Sequence, residues 1–151
     1  MKRLFLIMLI GLFGLSVIAQ KAKKEEKGNV KVPAAVSTAF QKDYPSVKKA
    51  SWGLEKNDFE AEFKLNGVET SANYDKTGKR LEVETALKTK DLPKAVLDYV
   101  VKNFPKHKIT EAAKTIDSKN KVTYEAEITL KGKSSDLIFD ANGNLLIKGK
   151  N

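Results

Sequence analysis

Between Asp58 and Leu65 the chain alternates: Phe59, Ala61, Phe63 and Leu65 are apolar, and Asp58, Glu60, Glu62 and Lys64 are charged. A period of two is that of a β-strand with one buried face and one wet face. The alternation returns in Val122, Tyr124, Ala126, Ile128 and Leu130, set against Thr123, Glu125, Glu127, Thr129 and Lys131. Ahead of each run the period is helical. Val32, Val36, Ala39 and Phe40 form one apolar stripe at three- and four-residue spacing, and Leu92, Val96, Tyr99 and Val100 form another. Pro33 and Pro93 suit the first turn of a helix. Tyr44-Pro45 and Phe104-Pro105 end the two helices, because a residue before proline is pushed out of the α region.

Asn66-Gly67 and Lys131-Gly132 are hairpin signals, so strands near 69–74 and 134–139 are expected as antiparallel neighbours of the alternating ones. Asp75-Lys76-Thr77-Gly78 and Asp140-Ala141-Asn142-Gly143 turn into last strands near 80–85 and 145–148. A further strand precedes these three in each half, near 47–54 and 109–116. The two halves superpose as sequence. The stretch from Val32 to Pro45 falls on that from Leu92 to Pro105 at an offset of 60, and Phe59 to Gly78 falls on Tyr124 to Gly143 at an offset of 65. The added residues belong between Lys108 and Val122, as a longer strand or connection. The expected fold class is therefore α+β, with two tandem repeats of one helix and a four-stranded antiparallel sheet. The first repeat occupies 32–85 and the second 92–151. The short link 86–91 favours one continuous eight-stranded sheet with both helices on one face.

The chain's start changes the picture of where it works. Lys2 and Arg3 precede an apolar run over 4–15 that ends Ser16-Val17-Ile18-Ala19, which is the pattern of a signal peptide over 1–19. Val17 and Ala19 stand at the −3 and −1 positions of the expected cleavage site. The run is shorter than the ~20 residues that span a bilayer. A periplasmic or secreted protein, without stable membrane insertion after cleavage, is expected. Residues 20–31 are mostly charged and lack a period, and are read as a flexible leader.

Formal net charge is +9, with 28 Lys+Arg against 19 Asp+Glu, and loss of Lys2 and Arg3 leaves +7. Nucleic acid is the usual reading of a basic protein. Here Arg80 is the one arginine after the signal, and export removes the chain from DNA, so no nucleic-acid partner is expected. With no cysteine in the sequence, no lipid-modified cysteine after the signal, disulfide, thiolate metal site or thiol nucleophile is expected.

The repeated proline-bounded helix, the FEAEF and YEAEI strands and the aromatic-Asp-x-x-Gly turns resemble those of the PepSY-like proteins of Bacteroidetes envelopes. Their fold is similar to that of the β-lactamase-inhibitor protein, with two α/β repeats whose sheets lie side by side. The resemblance covers residues 30–150. It implies a periplasmic or secreted binding or inhibitory module, in a family associated with restraint of peptidases. Its motifs are structural, and no inhibitory residue carries over.

Strand phase places Glu60, Glu62, Glu82 and Glu84 of the first repeat on the same sheet face as Glu125, Glu127 and Asp136 of the second. Helices on one side leave this acidic face open as a docking surface, with an envelope protein as the expected partner. The plainer reading is that such acids are ordinary solvent-side residues, partly paired with lysines such as Lys64. Carboxylates two apart on a strand also suit acid/base work or a cation, but catalytic carboxylates are usually desolvated in a cleft. Asp140-Ala-Asn-Gly-Asn144 echoes a calcium loop without its third carboxylate or distant Glu, and is read as a turn.

Trp52, in phase with Ala50 and Leu54, is assigned to the core, and His107 to the surface. Tyr44, Tyr74, Phe104, Tyr124 and Phe139 occupy repeat-equivalent apolar positions and are also assigned to the core. A lone histidine, no thiol and no Gly-x-Ser-x-Gly motif argue against an enzyme. No catalytic, metal or cofactor residue is assigned. A binder of a small ligand or of an anionic envelope polymer is the alternative.

Overall fold

Helix α1 (Ala34–Asp43) begins where Pro33 holds extended backbone, and the Pro33 carbonyl accepts from Ser37 N–H at 3.0 Å. Its counterpart α2 (Lys94–Asn103) begins at Pro93, which accepts from Leu97 N–H at 3.1 Å. Both prolines thus stand one residue before the helix rather than inside its first turn. Each helix stops at the aromatic residue before a proline, where Tyr44 and Phe104 donate back to Phe40 and Val100, both at 2.8 Å. The computed structural model describes residues 30–149. The expected signal peptide (1–19) and the leader up to residue 29 lie outside the described residues.

The strands are β1 (Ser51–Glu55), β2 (Asp58–Leu65), β3 (Val68–Tyr74) and β4 (Arg80–Leu87), then β5 (Lys108–Asp117), β6 (Val122–Leu130), β7 (Lys133–Asp140) and β8 (Leu145–Lys148). They form one eight-stranded antiparallel sheet in the order of the sequence, so the two repeats join through the β4–β5 ladder. A 3-10 turn, Thr89–Asp91, lies between β4 and α2. The added residues of the second repeat go into β5, ten residues long against five in β1, and into the turn after it. β1 starts later than expected, because Val47 and Ala50 pack on the core before the ladder opens at Ser51.

Register fixes the faces. The ladder rows Phe59↔Tyr74, Ala61↔Ala72 and Phe63↔Thr70 continue through Ala72↔Val83↔Ile116↔Val122 and Leu87↔Ala112↔Ala126↔Leu137. This is the helix side of the sheet in both repeats. Val36 and Phe40 of α1 cluster with Ala61, Phe63, Ala72 and Tyr74, while Val96 and Val100 of α2 cluster with Ala126, Ile128, Leu137 and Phe139. Each large side chain buried here stabilises the fold by roughly 1.5–3 kcal/mol. Trp52 joins the first cluster, edge-on to Phe40 at 5.3 Å.

The turns repeat as closely as the core. Asn66-Gly67 and Lys131-Gly132 all take positive φ, the type I′ geometry whose twist suits a hairpin. Asp75, Asp117 and Asp140 each accept two backbone N–H groups, from Thr77 and Lys79, Lys119 and Lys121, and Asn142 and Asn144.

The halves differ at one polar tether. Tyr74 Oη donates to Asp43 Oδ2 at 3.0 Å, and Arg80 Nη1 donates to the same oxygen at 3.2 Å, tying the end of α1 to the sheet. Phe139 fills the equivalent place of Tyr74 without a hydroxyl. Tyr74→Phe is expected to cost about 1–2 kcal/mol in urea denaturation, because Asp43 loses its half-buried donor while the ring stays in place. An unchanged midpoint would show that the tether carries no stability.

Candidate functional site

The face opposite the helices is built from the other half of the alternation. Reading across the ladders, Gly53, Glu60, Asn73, Glu82 and Asp117 form one row, and Ser51, Glu62, Ser71, Glu84, Thr115 and Thr123 form the next. In the second repeat Ala86, Ala113, Glu125 and Ile138 share a row, and Glu111, Glu127 and Asp136 another. All seven acids singled out from the sequence, Glu60, Glu62, Glu82, Glu84, Glu125, Glu127 and Asp136, therefore lie on one face. Register adds Glu55, Asp58, Glu69, Glu111 and Asp117. Among the described strand residues the lysines on this side are Lys64, ion-paired to Glu69 at 3.0 Å, and Lys108, opposite Thr129.

The face is not uniformly wet, and here the sequence expectation fails. Glu60, Glu82 and Glu84 are 5%, 6% and 3% exposed, although no helix lies over them. Glu82 and Glu84 sit on β4, one of the two middle strands of eight, where the side chains of β3 and β5 wall them in. Desolvation disfavours a carboxylate, and neighbouring negative charges disfavour it further. Burial, followed by the charges of Glu125, Glu82, Glu60 and Glu55, pushes the Glu84 carboxyl well above the usual carboxylate range. Burial raises Glu82 too, against a hydrogen bond from Asn73 that lowers it.

In the second repeat, burial together with Asp136, Glu127 and Glu111 pushes Glu125 up to about 8. Asp136 is raised by burial and by Glu127 and Glu111. Across the β4–β5 seam the short side chains Ala86 and Ala113 separate Glu84 from Glu125, which leaves the two carboxyls in each other's field. At its far end the face is hydroxyl-lined: Thr110 donates to Glu127 and shares a hydrogen with Thr129 at 2.9 Å, which in turn meets Ser134 at 2.8 Å.

Two polar side chains that the sequence reading passed over lie in the middle of this surface. Asn73 donates from Nδ2 to Glu55 Oε2 at 2.8 Å and to Glu82 Oε1 at 3.1 Å, and its buried Oδ1 has no hydrogen-bond partner. Ser71, between Glu62 and Glu84, has a buried Oγ that is also unpartnered. The signal for both was present: Glu69, Ser71 and Asn73 alternate with Val68, Thr70, Ala72 and Tyr74.

His107, expected at the surface, is half-exposed. It packs edge-on to Phe104 at 5.4 Å, with Nδ1 buried and unpartnered, because the short turn after α2 folds it back onto that ring. Asp140 is a turn residue, held below the usual range by hydrogen bonds, first from the Asn144 side chain. Among the described residues no three acidic or histidine side chains converge closely enough to hold a metal ion. Also among these residues, no helix is long and apolar enough to cross a membrane.

No curated protein matches the chain, whereas several solved structures share its architecture. A "putative periplasmic" protein of Bacteroides eggerthii DSM 20697 superposes with a TM-score of 0.74 at 17% identity, over 79% of this chain and 88% of that one. A DUF2874 family protein of Bacteroides uniformis ATCC 8492 gives 0.71 at 18% identity, over 77% and 87%. A BLIP-like protein of Bacteroides fragilis NCTC 9343 gives 0.66 at 22% identity, over 80% and 87%. At such identities the likeness shows the fold. The family model described as "Putative beta-lactamase-inhibitor-like, PepSY-like" matches twice, over residues 20–79 and 57–147. With nearly the whole folded region covered by those two matches, the chain belongs to the PepSY-like family of β-lactamase-inhibitor-like proteins.

Proposed function

We propose that the chain is an exported periplasmic protein-binding module that docks an envelope protein on its open sheet face, and that docking inhibits a peptidase or another envelope enzyme. One observation carries this reading: a protein with a formal net charge of +9 gathers most of its acids on the single sheet face that carries no helix. Charge segregated against the overall balance steers association and selects a partner with basic groups. The solved structures described as periplasmic or BLIP-like support the compartment and the mode of action. Spread over several strands rather than gathered in a cleft, these carboxylates suit recognition better than catalysis. An anionic envelope polymer would be repelled by this face.

The test replaces Glu60, Glu62, Glu125 and Glu127 together by Gln. Gln is chosen over Lys because Glu60 is buried, and a lysine there would strand a charge. Capture of a partner from envelope extract at low salt is expected to fall at least tenfold, with the circular dichroism spectrum unchanged. Asp98→Asn, on the exposed side of α2, serves as control and is expected to capture like wild type. Equal capture by all three proteins would end the proposal.

A further inference from the structure

We infer that Ser71, Asn73, Glu82 and Glu84 frame a site for an alkylammonium group and, resting on the docking reading above, that the partner fills it with a lysine side chain. Ser71 and Asn73 are 7% and 5% exposed, adjacent on the open face of β3, and each has a buried oxygen without a hydrogen-bond partner. An unmade hydrogen bond of this kind costs about 1–3 kcal/mol, so the site gains when a donor arrives. The side chains opposite them in register are carboxylates. Glu60 and Glu82 stand opposite Asn73, and Glu62 and Glu84 stand opposite Ser71. The Asn73 amide hydrogens are already given to Glu55 and Glu82, and Thr115 Oγ1 reaches Glu84 Oε2 at 3.5 Å.

A ligand that completes the site therefore brings donors, positive charge and no acceptor. An ammonium group has three donors and no acceptor. A guanidinium demands a coplanar fork of acceptors, whereas these belong to separate side chains on adjacent strands ~4.8 Å apart. The carboxylates do not converge as metal ligands do.

The experiment is calorimetric titration of the purified protein with a capped Ala-Lys-Ala-Lys-Ala peptide, its Nε-acetylated form, and spermidine. The capped peptide is expected to bind at least tenfold more tightly than the acetylated one. Glu84→Gln, which relieves like-charge crowding and so keeps the fold, should weaken peptide binding at least tenfold, and Ser71→Ala about threefold. Asp98→Asn, on the exposed side of α2 and off this face, should change it less than twofold. Binding is also expected to release a proton, read from heats in phosphate and Tris at pH 7. Burial and the charges of Glu125, Glu82, Glu60 and Glu55 push the Glu84 carboxyl upward, and a bound cation shifts it back down.

Equal losses in Glu84→Gln and Asp98→Asn would reduce the site to diffuse attraction and overturn it. Tighter binding of spermidine than of peptide would overturn the assignment to a partner's lysine. If Glu84→Gln binds the peptide normally while the quadruple Gln variant still loses its partner, the site fails and docking stands. If the peptide binds as expected while that variant captures normally, the docking reading fails instead.

Discussion

Gly78→Ala and Gly143→Ala are each expected to destabilise the fold by about 3 kcal/mol or more, a large share of the stability of a domain this size. Two costs combine at these equivalent positions. Their φ angles are +87° and +83°, which side chains with a Cβ rarely adopt. The added Cβ would also lie 2.6 Å from the Ala35 carbonyl oxygen in one repeat and 2.5 Å from the Ala95 Cβ in the other, so helix and hairpin would have to separate. Gly67 and Gly132 separate the two costs. Their φ values of +82° and +80° are as demanding, but a Cβ there meets nothing within 4 Å. Alanine at Gly67 or Gly132 should therefore cost only about 1–2 kcal/mol. Urea denaturation of the four variants checks this, and equal losses at all four would show that the helix contact is irrelevant.

Stability is expected to fall, not rise, between pH 5 and pH 9. Glu84, Glu125, Glu82 and Asp136 all have folded-state values above their unfolded ones, so in this window the native state holds more protons than the unfolded chain. Their contribution is complete below the unfolded values, 4.5 for the glutamates and 3.8 for Asp136, and is lost as pH rises through the folded values, near 8 for Glu125. The loss should be of the order of 2 kcal/mol after allowance for solvent screening. Asp75 and Asp140 act in the opposite sense. Hydrogen bonds, first from the side chains of Thr77 and Asn144, hold them low, so their support is present above about 3.8 and fades as pH falls further. Maximum stability is thus expected near pH 4–5. Glu84→Gln should raise the melting temperature at pH 8 and flatten the slope, and Glu125→Gln should do so over a narrower range. A wild-type curve rising from pH 5 to pH 8 would refute the account.

The repeat made much of this fold readable. FEAEF and YEAEI state the phase of β2 and β6 outright, and the positive-φ turns Asn66-Gly67 and Lys131-Gly132 state which strands pair next. β5 was harder, because Ala112-Ala113 breaks the alternation and the ladder shifts register between Ile109 and Glu111. The placement of the seven acids followed from phase alone, but their burial did not. Glu84 meets the field of Glu125 only because β4 pairs with β5 across the two small alanines, and no local pattern encodes that seam. Ser71 and Asn73 escaped notice for a different reason: short polar residues on a wet-looking strand carry no signal that their oxygens will be enclosed.

The strand order has a further effect. Since each strand lies beside its predecessor, no segment must wait for a distant later one before it can pair. A chain delivered from its N-terminal end can complete the first helix-capped hairpins, then use the exposed edge of β4 as the template on which β5 nucleates the rest. Assembly then proceeds like a zip, and the waiting edge is covered by the very next strand to arrive.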